Sequence, residues 1–274
     1  MKPSFNSRSA KPTGPISGTT RKQLVTRFLA AAESGDRVAV NDMLGNFKGL
    51  AHSLRKLDEH GMRVDSTALH LAARNGHLGI VQDLVQANAK VDAEDFVGQT
   101  PLMEAAMYAQ GDVAQFLLQK GANANHKASE GYTPLMYAAR NKAMAVIETL
   151  LDHKAKINAR SEAMDSALHF AIHAENCPQP VIRLLLDRGI NPKLRNLEGH
   201  TAADVARAGG LTEVAAFIET AAAHALLVKN RNDVATHKEC FSKLAAPFQH
   251  GAGKPLHGPN TAHFKKKPKA GAAP

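Results

Sequence analysis

Apolar residues come in paired clusters along the middle of the chain. Leu102, Ala105 and Ala106 fall at i, i+3 and i+4, one narrow apolar stripe on a helix. A few residues later Val113 and Phe116-Leu117-Leu118 predict a second helix. Thr100 before Pro101 predicts where the first begins, because the hydroxyl accepts from free backbone N–H groups and proline suits the first helical position. Gly121 predicts where the second ends, since it enters the left-handed conformation without steric cost. The segment leading to the next pair is extended and too polar for a core strand.

The pair recurs. Thr67-Ala-Leu-His-Leu-Ala-Ala, Thr100-Pro-Leu-Met-Glu-Ala-Ala, Thr133-Pro-Leu-Met-Tyr-Ala-Ala, Ser166-Ala-Leu-His-Phe-Ala-Ile and Thr201-Ala-Ala-Asp-Val-Ala-Arg start 33, 33, 33 and 35 residues apart. Each is followed by a second apolar stretch, such as Ile80-Val81 with Leu84-Val85 or Val146-Ile147 with Leu150-Leu151. Three of these run into Asn88-Ala89, Gly121-Ala122 and Lys154-Ala155. One unit cannot bury its own apolar face, whereas stacked units can. Upstream, Phe28 to Asp36 followed by Val38 to Leu44 predicts a more polar N-terminal copy. Leu44 to Thr67 spans 23 residues where Val85 to Thr100 spans 15, which predicts an insertion of eight in the first connection. The fifth copy has Met164 at a glycine position, two extra residues around Cys177-Pro-Gln-Pro180, and Pro192 in the next connection; an irregular loop is expected there. Ala203-Asp204 in place of Leu-His predicts a C-terminal cap.

The period of 33, the Thr-Pro-Leu phase, the Ala-Ala pair and the closing Gly-Ala resemble the ankyrin repeat over roughly residues 26–225. The resemblance implies an all-α fold: an ankyrin-repeat α-solenoid of helix-turn-helix units with short extended finger loops. Repeats are expected to start near 26, 62, 95, 128, 161 and 196, within a domain covering 23–225. It also implies a structural bond from His70 and His169 to the Thr or Ser that precedes each. A non-catalytic protein-interaction module or adaptor, most simply a monomer, follows as the expected function. Its protein partner is expected on a concave face of finger tips and inner-helix exits. In the repeat frame those positions are Phe96, Val97, Gln99, Met107, Tyr108, Tyr132, Arg140, Asn141 and His173. Phe96, Val97, Met107, Tyr108 and Tyr132 stand out as large side chains at positions expected to meet water, unless Phe96 and Tyr132 pack on adjacent fingers.

Charge divides along the chain. Residues 1–27 hold six Lys/Arg and no acid, and residues 226–274 hold nine against Asp233 and Glu239. With a total of +9, the middle is left at −4 (9 − 6 − 7), so attraction to polyanions belongs to the ends. Residues 1–22 and 246–274, rich in Gly, Pro and small residues, are expected to be disordered basic segments. A short helix is expected within 226–245, where Val234, Phe241 and Leu244 share a face. The run Lys265, Lys266, Lys267 and Lys269 fits an import signal, a polyanion anchor or a solvating tail alike. The alternative function is therefore an anchored or effector-like protein whose basic tails bind nucleic acid or an anionic membrane surface, with the repeats as scaffold.

Little else points to chemistry. Two cysteines make no disulfide framework, and no stretch approaches the roughly 20 apolar residues of a membrane span. Leu24 to Ala32 is interrupted by Arg27 and makes a poor signal-peptide core, so a cytoplasmic location is the expectation. Phosphate-binding, zinc-protease, nucleophile-elbow and dinucleotide patterns do not occur. Asp58-Glu59 and Glu94-Asp95 fall in finger loops, where water should keep them ordinary carboxylates. His169, His173 and Cys177 at i, i+4 and i+8 suit zinc on paper, but His169 already has a repeat role and the helix should end before Cys177. No catalytic residue, cofactor or metal is expected.

Overall fold

In the computed structural model, which describes residues 21–47, 49–52, 54–57, 63–172 and 179–231, helices form where the paired stripes predict them. The first pair is α1 (Arg21–Ser34) and α2 (Arg37–Asn46). Then follow α3 (Ala68–Arg74) with α4 (Leu78–Gln86), α5 (Pro101–Met107) with α6 (Gly111–Gln119), and α7 (Pro134–Arg140) with α8 (Met144–Asp152). The last pairs are α9 (Ala167–Ile172) with α10 (Gln179–Asp187) and α11 (Ala202–Ala208) with α12 (Thr212–Arg231). Threonine hydroxyls start the first helices as expected, accepting from the amides of His70, Met103, Met136 and Asp204. A lost cap of this kind costs about 1 kcal/mol.

The helices stack in two rows. The first helices pack in sequence, α1 on α3, α3 on α5, α5 on α7, α7 on α9 and α9 on α11, and α2, α4, α6 and α8 pack in the same order behind them. Leu69, Leu102, Leu135 and Leu168 form one buried column, and each such side chain contributes about 1.5–3 kcal/mol. Ala72, Ala105, Ala138 and Ala171 are fully buried beside it, and their small side chains let neighbouring helices close up. The molecule is an all-α repeat solenoid.

Second helices end in the left-handed region, at Asn88, Gly121, Lys154 and Gly189. Only glycine does this without strain, yet Asn88 and Lys154 follow the same path. The eight-residue insertion lies where expected, and around it β1 (Leu54–Leu57) pairs antiparallel with β2 (Arg63–Thr67), which leads into the Thr67 cap. Helix α12 passes the expected domain limit at 225 and reaches Arg231. The irregular loop around Cys177, the first twenty residues and the lysine-rich tail lie outside the described residues, and of the helix expected within 226–245 only 226–231 are described, as the end of α12.

Candidate partner-binding surface

The fingers are built from backbone hydrogen bonds. Each is closed by a turn in which Asp95, Ala128, Ser161 and Asn196 donate their N–H to the carbonyls of Gln99, Tyr132, Asp165 and His200. The tips are then tied in series. Ser129 donates to the Val97 carbonyl (2.9 Å), Glu162 to that of Glu130 (2.8 Å) and Leu197 to that of Ala163 (2.9 Å). Side chains add a second tie at the finger bases, where Asn125 Oδ1 accepts from the Lys156 amide and Asn158 Oδ1 from that of Asn191, both at 2.7 Å.

On this frame the expected contact residues separate. Phe96, at the second tip, is 53% exposed, and Tyr108, at the end of α5, is 41% exposed. Tyr108 receives a hydrogen bond from Arg74, whose guanidinium lies 4.6 Å from the ring centroid. In the flanking repeats the same position holds Asn75 and Asn141, whose amides cap their own helices by donating to the Leu71 and Tyr137 carbonyls. Asn141 is exposed while holding that bond, and Tyr108 replaces a capping residue with an exposed ring. Val97, Met107 and Arg140 are half-buried, and Val97 serves the finger through its N–H bond to Asp95 Oδ1. His173 lies outside the described residues, as do Lys265, Lys266, Lys267 and Lys269.

Two expectations of exposure are corrected. Gln99 is only 7% exposed, because its side-chain amide donates to the Tyr137 hydroxyl at 2.8 Å and its carbonyl faces His70 Nε2 at 3.0 Å. Tyr132 is half-buried, edge-on to Tyr137 and Phe170 at 5.9 and 5.1 Å. Its ring packs within the stack, and burial beside Glu130 raises its hydroxyl pKa. Glu94 is exposed, but Asp95 is not the ordinary solvated carboxylate expected: partial burial raises its pKa even as it accepts from Val97 and Gln99 amides.

One residue was passed over by the sequence reading. Glu104 occupies a column that holds Leu71, Tyr137 and Phe170 in neighbouring repeats. It is 8% exposed, its Oε2 has no hydrogen-bond partner among the described residues, and burial pushes its pKa up to about 7, with Asp95 adding to the rise and Arg74 opposing it. An acid in an apolar column of the aligned heptapeptides was the available signal.

His70 and His169 have structural roles. His70 Nδ1 accepts from the Thr67 amide and meets its hydroxyl at 2.8 Å, leaving Nε2–H to donate to Gln99. His169 does the same with Ser166 and His200. Burial lowers the His70 pKa to about 4, so it is neutral at neutral pH. Among the described residues no group of three or more His, Cys, Asp or Glu is arranged to hold a metal, and no helix is long and apolar enough to cross a membrane. The family model for ankyrin repeats (3 copies) matches residues 28–128, 69–161 and 120–196. Its matches run together from 28 to 196, more than half of the chain, and the chain belongs to the ankyrin repeat family.

Proposed function

We propose that this chain is a non-catalytic adaptor that binds a protein partner across the finger tips and inner-helix exits of its central repeats. Ankyrin repeats are generally protein–protein interaction modules. The observation that carries the finer reading is Tyr108: an exposed ring, held by Arg74, where both flanking repeats keep a helix-capping asparagine. Exposed aromatics beside an arginine are what interface hot spots are made of. Partner retained by the full chain should fall by about 1–2 kcal/mol of binding free energy in Tyr108→Ala, with the urea midpoint nearly unchanged. Tyr132→Ala is a poor probe, because its ring packs in the stack. Normal retention by Tyr108→Ala would overturn this placement of the site.

The charge split favours one second reading, in which the basic ends contact a polyanion while the repeats serve as scaffold. Removing residues 260–274 should then lower salt-sensitive binding to nucleic acid or anionic vesicles and leave the Tyr108-dependent partner untouched.

A further inference from the structure

The second to fifth finger tips share one backbone and are rich in acids, whereas the first carries Arg63 beside Asp65. Residues 95–99, 128–132, 161–165 and 196–200 contain Asp95, Glu130, Glu162, Asp165 and Glu198 and no lysine or arginine. The neighbouring cations along the chain donate to backbone carbonyls, and Arg160 and Arg195 do so at the tips themselves. Lys127 donates to the Arg160 carbonyl, Arg160 to those of Met164 and Arg195, and Arg195 to that of Gly199. Among the described residues no Lys or Arg lies within ion-pair distance of Glu130 or Glu162, while Glu198 sits 3.3 Å from His200 Nδ1. Arg74 and Arg140 sit at the helix exits, where Arg140 lies within the field of the tip residue Tyr132.

Two further features mark the row. Among the described residues the buried side-chain oxygens that lack a hydrogen-bond partner both belong to carboxyl groups, Glu104 Oε2 and Asp165 Oδ1. Glu104 is more than nine-tenths buried, within the fields of Arg74 and Asp95. The row also ends in apolar groups, Phe96 at the second tip and Leu197, 72% exposed, at the fifth.

We infer that the tip row from Phe96 to Leu197 docks an extended basic segment of a partner protein, with Lys or Arg against Glu130, Glu162 and Glu198 and apolar side chains against Phe96 and Leu197. The inference rests on the adaptor reading and adds the chemistry of the partner. Geometry supports it, because the tips are tied to one another by the Val97–Ser129, Glu130–Glu162 and Ala163–Leu197 bonds. Packed helices sit about 8–10 Å apart, roughly one turn of an extended polyproline-II chain, whose three residues of about 3.1 Å each bring every third side chain back to one face. A segment with a cation at every third position therefore keeps step with the acids.

The probe is a fluorescent twelve-residue peptide with lysine at every third position and phenylalanine at each end, titrated by anisotropy against the full chain. Exposed charge pairs are worth little singly, so Glu130→Gln, Glu162→Gln and Glu198→Gln should each weaken binding about threefold and the triple variant at least about tenfold. The control triple Asp112→Asn, Glu148→Gln and Glu213→Gln removes the same charge from exposed positions on α6, α8 and α12 and should change affinity less than about twofold. A glutamate version of the peptide should not bind. Equal losses in the two triples, or none in the tip triple, overturn the inference. A rise of tenfold or more on deleting residues 232–274 also overturns it, because the occupant is then this chain's own tail. Tyr108-dependent capture of a neutral or acidic partner would overturn the basic-segment inference and leave the adaptor reading standing.

Discussion

Position for position, Leu69, Leu102, Leu135 and Leu168 are the same residue, whereas the tip residues Phe96, Ser129, Glu162 and Leu197 share only their backbone. The inner column is sealed between helices and the tips stand in water. Stacking therefore dictates side chains in the first region and only main-chain geometry in the second. A residue that breaks the pattern costs stability in the column and is nearly free at a tip, so the tips are where recognition can vary. The largest effect that tests this contrast is Leu135→Ala, which leaves a cavity between α7 and its neighbours and should cost about 2–5 kcal/mol in urea unfolding. Glu162→Gln at a tip should stay within about 0.5 kcal/mol.

Glu104 sharpens the comparison, since it is a tip-like residue placed in a second buried column, that of Leu71, Tyr137 and Phe170. Its pKa is raised from 4.5 to about 7, so the folded state binds its proton more tightly than the unfolded state does. Its contribution is therefore full below pH 4.5 and is lost as pH rises to 7, at about 1.4 kcal/mol per pH unit and roughly 3 kcal/mol in all. Glu104→Gln should remove that slope, so the variant gains on the wild type between pH 5 and 8. His70 has the opposite sign: its pKa is lowered from 6.5 to about 4, and stability is lost as pH falls through that window. The difference between wild type and Glu104→Gln cancels the histidine. Parallel pH profiles for the two proteins would mean that the carboxyl is not desolvated.

What the sequence disclosed follows the same division. Caps at Thr67, Thr100, Thr133 and Thr201, the left-handed helix ends and the insertion before Thr67 were legible, because each is set by residues within one unit. The match of the ankyrin family model agrees with that reading. Exposure was harder to read. Gln99 turns inward through a hydroxyl 38 positions away, and Tyr132 through a ring on the next inner helix. The repeat frame fixes where a backbone position lies, but the neighbouring repeat decides whether a side chain there faces water. Asp95 was misjudged for the same reason. The binding roles assigned to Phe96 and Tyr108 remain proposals that the Tyr108→Ala and peptide measurements test.

A difference of about 1 kcal/mol separates tip backbone from tip side chains. Gly98 and Gly131 occupy the same position in successive fingers, at φ +76° and +74°, so alanine at either is forced into a conformation that L-residues disfavour by about 1–2 kcal/mol. Part of that is offset, since alanine restricts the unfolded chain more than glycine does, by about 0.5–1 kcal/mol. The surroundings then differ. A Cβ at Gly98 would meet the Ala128 backbone at 3.5 Å, an ordinary contact, but at Gly131 it would come within 3.0 Å of the Glu162 nitrogen. That nitrogen donates the bond linking the third and fourth tips, and backbone cannot swing aside as a side chain can. Gly98→Ala should therefore cost about 0.5–1 kcal/mol and Gly131→Ala about 1 kcal/mol more, measured by urea unfolding. Gly131→Ala should also weaken the lysine peptide although no acid has been removed, because it shifts Glu162 relative to Glu130. If both variants unfold alike and bind alike, the ties between tips do not hold the row in register, and the acids alone set its affinity.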